Sequence, residues 1–150
     1  MGTAIIIDGA DFSDYYNRKL LKETSGVLTL VKGGYNVSTS TLTSNTYYNN
    51  RIRTIGSLYL PKGRTLNITN LGQLEICYNI YDGEFVVEQT NQAVSVGANR
   101  IGGTGGYNAV SEGSFVLTNN TNGEYFAFCF KKSDNSNINP GDYNLEFNIS

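Results

Sequence analysis

The chain has 150 residues, a formal net charge of −2, no histidine and no tryptophan, and only 16% of its residues are charged. A domain of this size can bury a hydrophobic core without disulfides or metal ions. It lacks the clustered Lys and Arg residues that bind a phosphate backbone, so nucleic acid is not predicted as a partner. No apolar run is long enough to span a bilayer, so no membrane partner is predicted either.

Catalysis has little support in the sequence. Serine and cysteine nucleophiles usually depend on a histidine base, and the chain has none. Asp82 and Glu84 are the nearest carboxylate pair, but a turn explains both. The run IGGTGG at 101–106 lacks the flanking strand, helix and lysine of a phosphate-binding loop, and is predicted to be a flexible loop. We therefore predict no enzymatic activity and no cofactor.

The first 25 residues differ in pattern from the rest of the chain. A short β-prone run covers 3–7, and the spacing of aromatic and aliphatic residues predicts a helix over about 12–22. We predict that residues 1–25 form an attachment or oligomerisation segment, because an element this small cannot bury its own apolar surface. The residues predicted to meet a partner surface are Ile5, Ile6, Ile7, Phe12 and Tyr16.

From residue 26 onward the hydrophobic period changes to two, which is typical of half-buried strands. The predicted strands lie near 27–31, 51–54, 57–60, 66–68, 74–81, 85–87, 114–118, 125–130 and 143–149, with a further strand and a polar loop within 35–50. Asp82-Gly83 is predicted to close a hairpin between 74–81 and 85–87. This succession of short strands with frequent turns predicts one antiparallel β-sandwich of jelly-roll type over residues 26–150.

Residues 125–130, YFAFCF, are apolar on both faces and predict a central strand with a layer on each side. Cys77 and Cys129 each lie within an apolar run. Burial as two small hydrophobic residues is favoured over a disulfide, although the sequence leaves both open. Two cysteines without histidine are too few for a tetrahedral zinc site.

Several short motifs occur in an order that resembles a known class of module. They are AIIIDGADFS (4–13), NRIRT (50–54), LPKG (60–63), the YNIYDG hairpin (78–83), YFAFCFK (125–131) and INPGD (138–142). Their order is similar to the small β-sandwich modules of bacteriophage tail and fibre proteins and of some gut-bacterial surface proteins. The first motif resembles the N-terminal segment of structural proteins from phages of gut Bacteroidetes.

The resemblance implies a structural virion protein on the surface of a phage particle, as a head fibre, a tail fibre or a capsid decoration subunit. It implies contact with other virion proteins, a homo-oligomer (a trimer, as in many fibres) and contact with host surface polysaccharide. The alternative is a carbohydrate-binding or adhesion module of a bacterial surface protein.

Arg51 and Arg53 are two residues apart and are predicted to project from one face of a strand. They could bind sugar hydroxyls or acidic glycans, or they could pair with carboxylates such as Glu146 or Asp142. Carboxylate pairing is favoured, since a guanidinium group suits such pairs.

Four tyrosines are predicted to lie in loops or at outward strand positions, where their rings could stack on sugars or fill a contact between subunits. With Asp82 and the two arginines they complete the predicted ligand-binding set. The tyrosines are Tyr47, Tyr48, Tyr81 and Tyr107.

The loop SDNSNINPGD (133–142) offers several oxygen ligands, but it lacks the spacing of a calcium loop that ends in glutamate. A plain turn is favoured, and no metal site is predicted.

Overall fold

The computed structural model describes residues 24–43 and 49–150, together with the backbone of two short strands at 6–7 and 10–11. A single turn of 3-10 helix covers Pro140–Asp142. The strands are β1 (Ile6–Ile7), β2 (Ala10–Asp11), β3 (Ser25–Val27), β4 (Leu30–Lys32), β5 (Gly34–Tyr35), β6 (Leu42–Thr43), β7 (Ile52–Thr54), β8 (Leu58–Tyr59), β9 (Thr65–Thr69), β10 (Glu75–Tyr81), β11 (Arg100–Gly103), β12 (Asn108–Ala109), β13 (Phe115–Thr118), β14 (Tyr125–Lys131) and β15 (Glu146–Ile149).

Two antiparallel sheets form a sandwich. The smaller sheet has the order β13-β9-β15-β3, and the larger has β11-β10-β14-β7-β4, with β12 also beside β10 and β8 beside β14. The main strands pair in a nested way: β3 with β15, β7 with β14, β9 with β13, and β10 with β11. Successive pairs alternate between the two sheets. This is the arrangement of a jelly roll, so the predicted all-β sandwich of jelly-roll type is confirmed.

The main core lies between the two sheets and follows from the two-residue period. Leu66 and Ile68 on β9 are fully buried, while the residues between them are only partly buried. On β15, Phe147 and Ile149 point inward and their neighbours are exposed. Both strands therefore have one buried face, as their alternating sequences predict.

The larger sheet is buried on both faces. In β14, three phenylalanines, Phe126, Phe128 and Phe130, point into the main core, whereas Ala127 and Cys129 point to the opposite side. There a second core forms under β5, β6 and the segment 83–98. The prediction of a central strand covered on both sides is confirmed. The residues of the second core are Tyr35, Leu42, Cys77, Tyr81, Phe85, Val96, Ala127 and Cys129.

The predicted hairpin between 74–81 and 85–87 is wrong. Both edges of β10 are already taken, by β14 on one side and by β11 and β12 on the other. The segment 85–87 bonds instead to the residues around Gly56: Ser57 N–H donates to Phe85 O at 2.9 Å, and Val87 N–H donates to Ile55 O at 2.8 Å. Phe85 thereby enters the second core, and its burial there outweighs a local hairpin.

The predicted glycine-rich loop is partly a strand. Arg100–Gly103 forms β11, which pairs with the end of β10. Gly103 has a φ of 147°, and a Cβ atom on it would collide with the carbonyl oxygen of Tyr78. A glycine at this position lets the strand approach β10 closely. A glycine-rich sequence fits such a strand as well as it fits a flexible loop, so composition alone does not distinguish the two.

The N-terminal predictions lie mostly outside the described residues. These include the helix over about 12–22 and the contacts assigned to Ile5, Phe12 and Tyr16. Ile6 and Ile7 belong to β1, which pairs with β2. The first described strand of the sandwich is β3, which pairs with β15, and Ile149 N–H donates to Thr24 O at 2.6 Å. Among the described residues, no helix is long and apolar enough to cross a membrane.

The close contact between Gly56 and residues 85–86 gives a first prediction. A Cβ atom at Gly56 would collide with the backbone oxygen of Phe85 and lie 2.9 Å from Val86 Cα, and backbone atoms cannot move aside cheaply. We expect Gly56→Ala to lower the free energy of unfolding by about 3 kcal/mol or more in urea denaturation. Gly141→Ala is the matched control, since nothing lies near its Cβ position. Equal stability of the two variants would contradict the prediction.

Candidate functional site

The outer face of the larger sheet carries its polar and reactive groups in rows across the strands. On β10, Glu75, Cys77, Asn79 and Tyr81 share this face because successive side chains alternate. They lie directly opposite Lys131, Cys129, Ala127 and Tyr125 of β14. Arg53 of β7 lies opposite Cys129 and extends the second row. One end of the face is therefore charged, and the other is aromatic.

Arg53 is a structural residue. Its side chain is 1% exposed. It donates hydrogen bonds to the backbone of the segment that covers the second core. Nη2 donates to Val87 O at 2.7 Å and to Glu88 O at 2.9 Å, and Nη1 donates to Thr54 O at 3.2 Å. The guanidinium carbon also lies 5.3 Å from the centre of the Tyr35 ring. Arg53 contacts neither solvent nor the predicted carboxylates, so its assignment to a ligand site is wrong.

Tyr35 completes the arginine cluster. Its hydroxyl donates to Thr54 O at 2.6 Å and accepts from Arg53 Nη1 at 3.3 Å. Burial raises the pKa of this phenol to about 12, although the positive charge of Arg53 lowers it. The hydroxyl therefore stays protonated near neutral pH, and it links β5 to the end of β7.

The predicted outward position of Tyr81 is wrong. Tyr81 is 0% exposed, and its ring packs edge-on against Phe85 with 4.7 Å between centroids. It is not an outward residue and cannot stack on a sugar. Asp82 is exposed, but it accepts hydrogen bonds from the Asn99 backbone and side-chain nitrogens, both at 2.8 Å. These bonds lower the pKa of Asp82 and close the loop between β10 and β11.

Tyr107, like Arg51, is a predicted ligand residue that lies at a charged, partly exposed end of the larger sheet. It is partly buried between β11 and β12, with Arg51 Cζ 4.8 Å and Lys131 Nζ 5.8 Å from the centre of its ring. Lys131 also forms a 2.9 Å ion pair with Glu75. We call Arg51, Glu75, Tyr107 and Lys131 the tyrosine–cation cluster. It lies at the opposite end of β10 from Asp82, about 20 Å away.

Two polar loops border the tyrosine–cation cluster. Asn50 Nδ2 donates to Asn135 O at 3.2 Å, and Lys131 Nζ donates to Asn135 Oδ1 at 3.0 Å. Ile138 N–H also donates to Asn49 O at 3.4 Å. The loop that ends at Arg51 and the loop after β14 are therefore joined beside the cluster. Tyr47 and Tyr48, predicted to bind ligand, lie outside the described residues just before Asn49.

The two cysteines are buried and free, as favoured from the sequence. They lie directly opposite each other on β10 and β14, and Tyr107 packs against the second core that contains both. Tyr35 N–H donates to Cys129 Sγ at 3.0 Å. Burial raises the pKa of the Cys129 thiol. Hydrogen bonds from Cys129 and Tyr107, together with the charge of Arg51, lower the pKa of the Cys77 thiol.

The asparagine-rich loop after β14 contains a turn. Asp134 Oδ1 accepts from the backbone nitrogen of Ser136 at 3.0 Å and from its hydroxyl at 2.7 Å, and these bonds lower the pKa of Asp134. Asp142 lies in the 3-10 helix. Within 24–43 and 49–150, no group of three acidic, cysteine or histidine side chains is arranged to hold a metal ion.

No protein-family model matches the chain, and comparisons with curated proteins and with solved structures find no significantly similar protein. Function must therefore be argued from the motifs and from the geometry of the site.

The sequence reasoning overlooked Lys131 and Glu75 as members of the cluster. A usable signal was present: both residues stand at the polar ends of long apolar strands, where antiparallel pairing places them opposite each other. The approach of Tyr107 to the cysteines had no comparable local signal, because its loop connects two edge strands that are far from β14 in sequence.

The buried guanidinium group gives a second prediction. Arg53→Lys keeps the charge, but an ammonium group cannot reach the same carbonyl oxygens from the same position. We expect the free energy of unfolding to fall by about 3 kcal/mol, measured by urea denaturation, because buried carbonyl groups lose charged donors. Arg64→Lys, at a partly exposed turn position, should change stability by less than about 0.5 kcal/mol. If both variants are as stable as the parent chain, the structural role of Arg53 is wrong.

Proposed function

We propose that this chain is a structural protein of a bacteriophage particle, a head fibre, tail fibre or capsid decoration subunit. In this role it displays its jelly roll outward and contacts host surface polysaccharide through the tyrosine–cation cluster. Two lines of support differ in kind. The order of the sequence motifs supports the class of protein, and the geometry of the cluster supports the contact with sugar.

The motifs that carry the resemblance lie mainly at the centre of the fold. NRIRT includes β7, YNIYDG includes the end of β10, and YFAFCFK is β14. The resemblance therefore rests on the strands of the larger sheet more than on surface loops. It supports a type of module, and the choice of ligand has to rest on the exposed end of that module.

The observation that carries the proposed sugar contact is the pair of cations over the ring of Tyr107. These cations offer donors to sugar hydroxyls and carboxylates, the exposed part of the ring offers apolar contact, and Asn50 and Asn135 offer amide groups nearby. The positive charges favour an acidic polysaccharide over a neutral one. Glu75 neutralises part of this charge through its ion pair with Lys131.

One such site gives weak binding. A ring and a few hydrogen bonds provide roughly 4 to 8 kcal/mol, which corresponds to affinities from about millimolar to micromolar. Many copies on one particle raise the apparent affinity, because each further contact becomes intramolecular. Binding should therefore be measured with the chain displayed in many copies on beads.

The third prediction concerns this contact. Beads carrying the chain should be retained on acidic bacterial capsular polysaccharide more strongly than on a neutral glucan, and added salt should weaken the retention. Arg51→Gln, Lys131→Gln and Tyr107→Ala should each reduce retention. Tyr59→Ala is the matched control, because Tyr59 lies at the other end of the larger sheet, where it pairs with Tyr125.

Melting curves of each variant separate lost contact from lost folding. The two glutamine variants keep a polar side chain at each position, and retention is compared only for variants that are folded at the assay temperature. Equal retention of the parent and of all three variants would rule out the cluster as the binding site. No retention of the parent on any host polysaccharide or host cell would leave a purely architectural role.

The location on a particle has its own test. Negative-stain microscopy with an antibody against this chain should label purified phage particles at repeated positions. Label confined to the outer surface of bacterial cells would favour the alternative, an adhesion module of a bacterial surface protein. The two readings share the sugar contact, so only the site of labelling distinguishes them.

The fourth prediction concerns assembly. We propose that residues 1–23 join copies of the chain, as a trimer, or attach it to other virion proteins. Light scattering should give the mass of an oligomer for the full chain and of a monomer for a chain that starts at Thr24, which keeps the bond from Ile149 to Thr24. If both chains are monomers, self-association is contradicted. If both chains are oligomers, the contact between copies lies in the sandwich and not in residues 1–23.

A further inference from the structure

The two cysteines lie at the centre of the larger sheet, in a geometry that a disulfide can accept. Tyr78 directs its backbone groups towards β11, since its N–H donates to Thr104 Oγ1 at 3.2 Å and its carbonyl accepts from Thr104 N–H at 3.0 Å. The backbone groups of Cys77 therefore face β14. A directly opposed pair of this kind has its Cα atoms about 5.5 Å apart, within the range that disulfides span.

The surroundings of the two thiols differ. Cys129 is enclosed by the second core and accepts the Tyr35 N–H. Tyr107 covers Cys77. This tyrosine belongs to the short connection 104–107 between β11 and β12. Gly105 and Gly106 precede this tyrosine, and their Cβ positions face open space.

We propose that Cys77 and Cys129 form a redox-sensitive dithiol, which low-molecular-weight disulfides oxidise to a cross-strand disulfide between β10 and β14. Tyr107 is the lid of this site. The inference is independent of the proposed polysaccharide contact, although both involve Tyr107.

The reaction is two successive thiol–disulfide exchanges. The thiolate of Cys77 attacks one sulfur of the small disulfide, the bond between its two sulfurs breaks, and one small thiol leaves with a proton. The thiolate of Cys129 then attacks the sulfur of Cys77 and releases the second small thiol. The protein loses two electrons and two protons, and the oxidant gains them.

Cys77 is assigned as the first nucleophile on two grounds. Both thiols are buried, but Cys77 lies on β10, next to the strands that carry the Tyr107 connection, whereas Cys129 lies on β14, one strand further in. A hydrogen bond from Cys129, a second from Tyr107 and the charge of Arg51 also favour the Cys77 thiolate, whereas burial disfavours that of Cys129. The order matters, because a mixed disulfide on Cys77 has the second thiol directly opposite it.

The test uses the full chain and oxidised glutathione. After alkylation of the remaining thiols, intact mass should show the loss of two hydrogen atoms, and peptide mapping should join residues 77 and 129. Dithiothreitol should restore both thiols. Cys129→Ser should accumulate one glutathione on Cys77, and Cys77→Ser should react several-fold more slowly. Two free thiols, single glutathione adducts on the parent chain, or bonds between chains would each overturn the proposal.

The role of Tyr107 as a lid is tested by the rate of disulfide formation. Tyr107→Ala should speed disulfide formation several-fold, whereas Tyr59→Ala should leave the rate unchanged. A rate that Tyr107→Ala does not raise would overturn the role of Tyr107. Guanidine-denatured chain gives the rate for fully accessible thiols, which sets the upper limit for the comparison.

Discussion

The pairing of β10 with β14 is the interaction on which the rest of this structure depends. It runs without a break over seven residue pairs, from Glu75 opposite Lys131 to Tyr81 opposite Tyr125. The middle residues of both strands are buried on both faces, so neither face can be left in water. One face takes the smaller sheet, and the other takes β5, β6 and the segment 83–98, which makes a second core necessary.

The second core explains why Arg53 is buried. The segment that covers the outer face has backbone carbonyls at residues 87 and 88 that meet no neighbouring strand, and the guanidinium group supplies their donors. An unpaired carbonyl in this position would carry a desolvation cost that a forked, charged donor offsets. The two arginines predicted to share one strand face therefore differ: Arg53 lies in β7 and is structural, whereas Arg51 precedes β7 and is only partly buried.

The fold was predictable where the signal was local and periodic. The alternation in β9 and β15, the two-faced pattern of β14 and the frequent turns together predict a jelly roll, because a two-residue period fixes which side chains are buried. The partner of 85–87 was not predictable in the same way. Asp82-Gly83 is a good hairpin signal, but Phe85 gains more by entering a core that residues far away in sequence create. The strand at 100–103 was missed for a similar reason, since its glycines fit a close approach to β10.

The candidate site, like the fold, was only partly predictable from the sequence. Tyr107 and Arg51 were recognised as surface residues, and they do meet, but Tyr81 and Arg53 share their residue types and are enclosed by the second core. Residue type and spacing report which face a side chain is on, whereas exposure depends on what covers that face. Tyr107 stands at the boundary of that cover, with cations on one side and the thiol of Cys77 beneath it. A ligand held on its ring would also hold the lid closed and slow the oxidation of Cys77, so the two proposals, argued from different contacts, meet at one side chain.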